Sequence, residues 1–230
     1  MGTDDQGRDL FSAILFGLRV SLFVGIMAVG LATIIGVLLG LLAGYIGGWL
    51  DSLIMRLADI QMTFPSILIA MLIYGVTRGI LPPELRDEMA ISVLILSIGL
   101  SEWVGIARTV RGSTLVEKEK EYVAAARLIG LSHSRIMIKH ILPNVLSPVL
   151  VIATITLALA IIAEATLSFL GAGAPPTKPS LGTLIRVGQD FLFSGEWWIV
   201  IFPGVTLATL ILAVNLLGDW MRDAFNPKLR

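Results

Sequence analysis

Five long apolar runs dominate this 230-residue chain and leave few folds open to it. A membrane-crossing helix needs roughly 20 mostly apolar residues. Stretches of that kind run from about Ala13 to Gly44, Leu50 to Tyr74, Met89 to Val110, Ile141 to Leu170 and Trp197 to Leu217. Hydrophobic residues make up 56% of the chain and charged residues 15%, against roughly a quarter charged in soluble domains. The expected fold is an all-α polytopic bundle of about five transmembrane helices, one domain over 1–230 with its helical core at 12–220.

Charge and residue usage exclude several functions. The net charge is zero, so no global basic field exists for nucleic acid. Cysteine is absent, which removes disulfide and thiol chemistry. His133 and His140 are the only histidines, and no carboxylate or cysteine stands near them at a metal-ligand spacing. No metal site is expected. No G-x-x-x-x-G-K-[ST] run is present, so ATP chemistry does not belong to this chain. The first nine residues lack the basic stretch and short apolar run of a secretory leader.

Lysine and arginine set the expected orientation. Arg108, Arg111, Lys118, Lys120, Arg127, Arg135 and Lys139 cluster in one interval, which reads as a cytoplasmic loop at 112–140. The tail, with Arg222, Lys228 and Arg230, falls on the same side after two more crossings. By parity the N-terminus and the segment 171–196 face outward. In that segment Ser180 can cap a short helix bearing Leu181, Leu184, Ile185 and Phe191, ahead of an interfacial Trp197-Trp198 pair. It reads as a short helix lying on the outer surface, either a gate or a plain connector. The GxxxG steps Gly36–Gly40 and Gly40–Gly44 read as helix packing, because small residues let backbones approach closely in lipid.

The polar interval has its own grammar. Tyr122–Ile129 is rich in helix formers, and Gly130 stands where a left-handed cap would end that helix. Ser132 can open a second helix, and Pro143 and Pro148 mark the entry to the fourth membrane helix. The predicted result is helix, sharp turn, helix, in the plane of the membrane surface. The spacing Ala125-Ala126, three residues, Gly130, eleven residues, Leu142-Pro143 favours a docking element over a plain solvated loop.

That spacing resembles the EAA loop of ABC-importer permeases. Over nearly its full length the chain resembles their peptide branch, specifically the second permease subunit of dipeptide and oligopeptide systems. The motifs are Gly2 to Asp9, Met55 to Asp59, Phe64-Pro65-Ser66, Glu121 to Arg127, Leu142-Pro143-Asn144, Glu164 to Gly171 and Asn215 to Ala224. One departure is that Ala124 occupies the position of the broad family's loop glutamate, while Glu121 lies three residues earlier. The branch commonly has one more membrane helix before the Gly2-Thr3-Asp4 motif. Either the start is truncated or misassigned, or this version lacks the helix, and the first is the expected reading.

The resemblance implies a type I importer permease in the bacterial inner membrane, importing di- or oligopeptides. Nickel complexes or glutathione are the alternative cargoes, and a secondary transporter is the alternative from another class. It implies a homologous permease partner, two ATPase subunits carrying ATP and Mg, an extracytoplasmic substrate-binding protein and surrounding lipid. ATPase coupling would fall to Glu121, Tyr122, Ala125, Ala126, Arg127, Gly130, Leu142 and Pro143. Glu164 and Glu102 are candidates for the translocation path or a gate, because ionisable groups in lipid usually face a cavity or a partner. For Glu164, near the outer end, a structural hydrogen bond is favoured. Glu102 either lines the path or pairs with Arg108 or Arg56. Arg56 and Asp59 are expected to pair with each other, three apart on one helix. Asn215 is expected to make an interhelical hydrogen bond. Met62, Phe64, Met71 and Phe169 are expected to face lipid or core.

Overall fold

A computed structural model describes residues 2–4 and 6–224. Asp5, Lys228 and Arg230, which contribute to the readings above, lie outside the described residues. The described chain is helical, apart from an isolated bridge between Thr3 and Asp9. Its helices are α1 (Leu10–Ile46), α2 (Gly48–Met62), α3 (Ser66–Ile80), α4 (Ala90–Glu117), α5 (Glu121–Leu128), α6 (His133–Ile136), α7 (Leu142–Phe169), α8 (Leu181–Gln189) and α9 (Trp198–Ala224).

Four helical stretches are long and apolar enough to cross a membrane: α1, α4, the continuous run 133–169, and α9. The expected second span, Leu50–Tyr74, is not one helix. It breaks at 63–65 into α2 and α3, which are bent by 95°. Pro65 supplies the physical reason: it has no N–H to donate and pushes Phe64 out of helical geometry. The bent pair still passes between the two ends of the bundle. Asp51 at the start of α2 meets Arg111 near the end of α4, while Tyr74 in α3 donates to the carbonyl of Gly173 after α7. Counting the pair as one crossing gives five.

The α1–α4 contact is made of glycine. A Cβ at Gly36 would lie 2.7 Å from Ile106, at Gly40 2.5 Å from the carbonyl oxygen of Ala107, and at Gly44 2.7 Å from Thr114. These spacings put one face of α1 directly on the α4 backbone, as the GxxxG steps require. Around this seam a core forms from Leu41, Tyr45, Val104, Ile106, Ala107 and Val110, joined by Ile136, Ile141 and Val145.

Two boundaries differ from expectation. The polar interval is shorter than 112–140, because α4 extends to Glu117. Its second limb is not a separate helix: α6 runs through a π-turn, Met137–Ile141, straight into α7. The turn accommodates Pro143, which has no N–H to give the carbonyl of Lys139, by adding a residue rather than stopping the helix. The segment 171–196 also differs. Its helix α8 is not laid on the surface but wedged into the bundle end: Leu181 and Thr183 are buried, and Gly182 abuts the backbone of Ala165 in α7. Ser180 does cap it, accepting from the Thr183 amide at 3.2 Å. Phe191 lies beyond its end.

Candidate functional site

The α5 segment is built locally and then fastened at several points. Gly130, with φ +78°, follows the C-cap Ile129. The amide of Leu131 donates to the Ala126 carbonyl at 3.1 Å, and that of Gly130 to the Arg127 carbonyl at 3.0 Å. This pair of bonds is a Schellman cap, the turn the glycine position predicts. Ser132 occupies the N-cap of α6, although its side chain makes no capping bond there.

The roll of α5 about its axis corrects the expectation for its alanines. Val123 and Ala126 are buried in the same cluster as Tyr45, Ile136, Ile141 and Val145. Ala126 thus seats α5 on its own chain, while Ala124 and Ala125 are exposed. Leu128 and Ile129, which sequence reasoning passed over, are 89% and 75% exposed. Both large apolar side chains stand in the open at the cap, uncovered by any surface elsewhere among the described residues.

Tyr122 is the hub of the attachment. Its hydroxyl donates to the Glu117 carboxylate at 2.6 Å, and it accepts from the Asn144 amide at 3.2 Å. Asn144 also donates to the His140 carbonyl at 2.7 Å, and Lys120 pairs with Glu117 at 2.6 Å. One phenol therefore joins α5 to the end of α4 and the start of α7. Burial and the adjacent Glu117 carboxylate push its pKa up to about 12. Glu121 stands in the first turn of α5, where the helix dipole favours an acid. Leu142 packs against the core beside it, and Pro143 is exposed.

The same end carries further ties. Lys118 donates to the Gly44 carbonyl at 3.0 Å, closing the end of α1. Arg111 grips Asp51 with two bonds, at 2.5 and 2.7 Å. Arg108 pairs with Asp59, so Asp59 is not the partner of Arg56, and Arg108 is not the partner of Glu102. Asp59 and Arg56 are both exposed on α2, and the guanidinium of Arg108 on α4 is the one that reaches Asp59. Tyr45 hydrogen-bonds His133 Nδ1 at 2.9 Å, and the Arg127 guanidinium lies 5.6 Å from the Tyr45 ring centre.

At the opposite end Glu164 is fully buried. Ser21 of α1 and Ser168 of α7 each donate to its carboxyl at 2.7 Å. The two serines accept in turn, from the amides of Leu181 and Ala174, both at 3.2 Å. Glu164 thus holds the loop before α8, and α8 itself, onto α1 and α7. Asn215 makes no hydrogen bond to another helix among the described residues; it is exposed on α9, whose contact face carries Val214 and Gly218 instead. Gly218 meets Thr154, and residue 215, about 100° round a 3.6-residue helix from Val214, turns away.

Glu102 lies elsewhere. It lines an open hollow with Gln61, Met62, Phe64, Ser66, Ser101 and Thr156, between the α2–α3 elbow, α4 and α7. Met62 and Phe64, 57% and 59% exposed, line this space. Gln61, another residue the sequence did not single out, fixes the elbow. It donates to the carbonyls of Leu100 and Ser101 and accepts from Trp103 at 2.9 Å.

The described residues form a helical bundle of multi-pass membrane type with a polar segment docked at one end. Residues 36–230 match the family of binding-protein-dependent transport system inner membrane components, and the chain belongs to that family. It is a permease subunit of an ABC importer, a transport component rather than an enzyme. The chain is 41% identical over 229 residues to the dipeptide transport system permease protein DppC of Alkalihalophilus pseudofirmus, covering all of this chain and 72% of that one. It is 39% identical over 230 residues to the glutathione transport system permease protein GsiD of Escherichia coli O6:K15:H31, again covering all of this chain and 72% of the relative. Its fold is similar to a chain in the inward-facing MetNI methionine ABC transporter, with TM-score 0.71 at 22% identity, covering 93% of this chain and 96% of that one.

Proposed function

We propose that this permease imports short peptides and that α5 transmits the motion of an ATPase into the membrane helices. The observation that carries the coupling reading is the Tyr122 hub, which ties α5 to both α4 and α7. A push on α5 displaces two spans at once. The end bearing α5 is cytoplasmic, by the surplus of lysine and arginine there. Tyr122 and Arg127 hold α5 in place, Glu121 opens it as the acid of its first turn, Gly130 sets its cap, and Leu142 and Pro143 lead its motion into α7. Ala125, Leu128 and Ile129 form the face offered to the ATPase.

The full assembly in this reading pairs the chain with a homologous permease, two ATPase subunits holding ATP and Mg, and an extracytoplasmic binding protein. ATP binding shifts the importer between inward and outward states only if the ATPase contacts α5 differently in each. Peptide cargo is supported by the dipeptide relative, and glutathione, itself a small peptide, is the second reading, supported by the GsiD relative.

Affinity purification in mild detergent, with ATPase assay and dipeptide uptake in vesicles, tests this. The wild-type chain is expected to bring a second permease and ATPase subunits, and Leu128→Asp to lose the ATPase while keeping the permease. Retention of the ATPase by Leu128→Asp at wild-type level overturns the docking face.

A further inference from the structure

Glu102 sits twelve residues from the start of α4 and fifteen from its end, since α4 spans Ala90–Glu117. Because α4 from Arg108 onward belongs to the cytoplasmic interval, Glu102 lies within the apolar stretch but in its cytoplasmic half, six residues before Arg108. Among the described residues no lysine, arginine or histidine forms an ion pair with it. Glu164 is a carboxyl satisfied by two serines inside the protein, whereas Glu102 has the Ser66 hydroxyl beside it and otherwise faces a hollow. A carboxylate at this depth without a cation is costly unless it meets water or a charge brought to it.

A second, independent feature opens onto the same hollow. The chain at 63–65 is not helical, and the elbow residues Met62, Phe64 and Ser66 line the space. Non-helical backbone at membrane depth is tolerated only where protein buries it or where it lines a watered cavity. The C-terminal end of α2 arrives here, and such an end carries partial negative charge, which favours a cation. Gln61 braces the elbow against α4, so the site is held in shape. The remaining walls, Ile69, Ile152, Ile155 and Leu159, are apolar.

We propose that this hollow is a cation-recognition site on the translocation path, in which Glu102 receives a primary ammonium group of the cargo while the apolar walls take an adjoining aliphatic side chain. The ammonium is that of a peptide amino terminus, a statement that rests on the peptide-import reading above. Glu102 is then a specificity-determining residue, and Ser66, Ser101 and Thr156 supply the uncharged polar rim.

The absence of cysteine from the chain makes a direct test possible. Ser66→Cys places one thiol at the hollow. In the assembled importer in lipid vesicles, its reaction with a cationic and an anionic methanethiosulfonate reagent is followed by mass spectrometry of this chain. Each rate is normalised to that reagent's rate with a free thiol. The expected result is at least about tenfold preference for the cation, falling to about one with Glu102→Gln and kept with Glu102→Asp. Dialanine, delivered with the binding protein and ATP, is expected to slow the reaction only when an acid stands at 102. A preference unmoved by Glu102→Gln, or a thiol that neither reagent reaches, overturns the site. A Glu102-dependent preference with no protection by dialanine supports the cation site and overturns the peptide ammonium as its occupant.

Discussion

Asp4 shows how one side chain can order a segment that has no regular structure. Burial alone would raise its pKa. The opposing contacts are stronger: Arg8 Nε at 2.6 Å and the amides of Arg8 and Gln6 at 2.8 and 2.9 Å hold the carboxyl below its usual range. The loop they close is fastened to α9, where Trp198 donates to the Thr3 carbonyl. A carboxyl depressed in the folded state stabilises it above the ordinary aspartate value of about 4, and that support fades as pH falls through the lowered value. Amide exchange at Gln6 and Arg8, corrected for its intrinsic pH dependence, should therefore stay slow at about pH 5 and speed up only once pH has fallen below the ordinary aspartate range. Asp4→Asn should be fast throughout; equal protection in both proteins would show that Asp4 does not hold the loop. The same scale explains the two intramembrane acids. Sequence shows that Glu164 and Glu102 are anomalous, but not that serines surround one and a hollow the other. Ser21 lies 143 residues from Glu164 and no periodicity connects them.

At the scale of elements, the α1–α4 seam was readable because its cause is a repeat. Glycines four apart fall on one helical face, and lipid offers no other force that would bring two backbones so close. Gly40→Leu would drive a side chain into the Ala107 carbonyl and Val110, 2.5 and 2.7 Å from the new Cβ. Overpacking of this kind costs about 1–3 kcal/mol, so the purified protein should unfold at a clearly lower temperature. Gly30→Ala is the control, with nothing within 4 Å of its added Cβ, and should not lower the unfolding temperature, since alanine is the better helix former. Equal behaviour of the two variants would remove the seam from the account of stability. The α2–α3 elbow was less legible: a run of apolar residues from Leu50 to Tyr74 reads as one span, and only the departure at Pro65 hints at the bend. Asn215 misled for a related reason, since a polar residue in an apolar helix does not say which way it faces.

For the whole molecule, the central fact is that α5 is not a free loop. Through Tyr122 it touches α4 and α7, and through Val123 and Ala126 it shares the core with α1. Tyr122→Phe removes the hydroxyl and keeps the ring, at a cost of about 1 kcal/mol for this half-open bond. The expected outcome in vesicles is ATP hydrolysis near the wild-type rate with peptide uptake reduced several-fold, because the ATPase still docks but its motion reaches α4 and α7 less completely. Uptake and hydrolysis at wild-type ratio would show that the hub carries no coupling. Three features were settled by the chain alone: long apolar runs, the glycine repeat of α1, and the cap at Gly130. Each follows from local periodicity or a local backbone requirement, so neighbouring residues suffice to specify it. The tertiary structure decided the inward face of Ala126, the exposure of Leu128 and Ile129, the burial of α8, the partners of Asp59 and Glu164, and the hollow that Glu102 lines. These depend on which helices meet and at what rotation, and that is determined by packing between residues far apart in sequence.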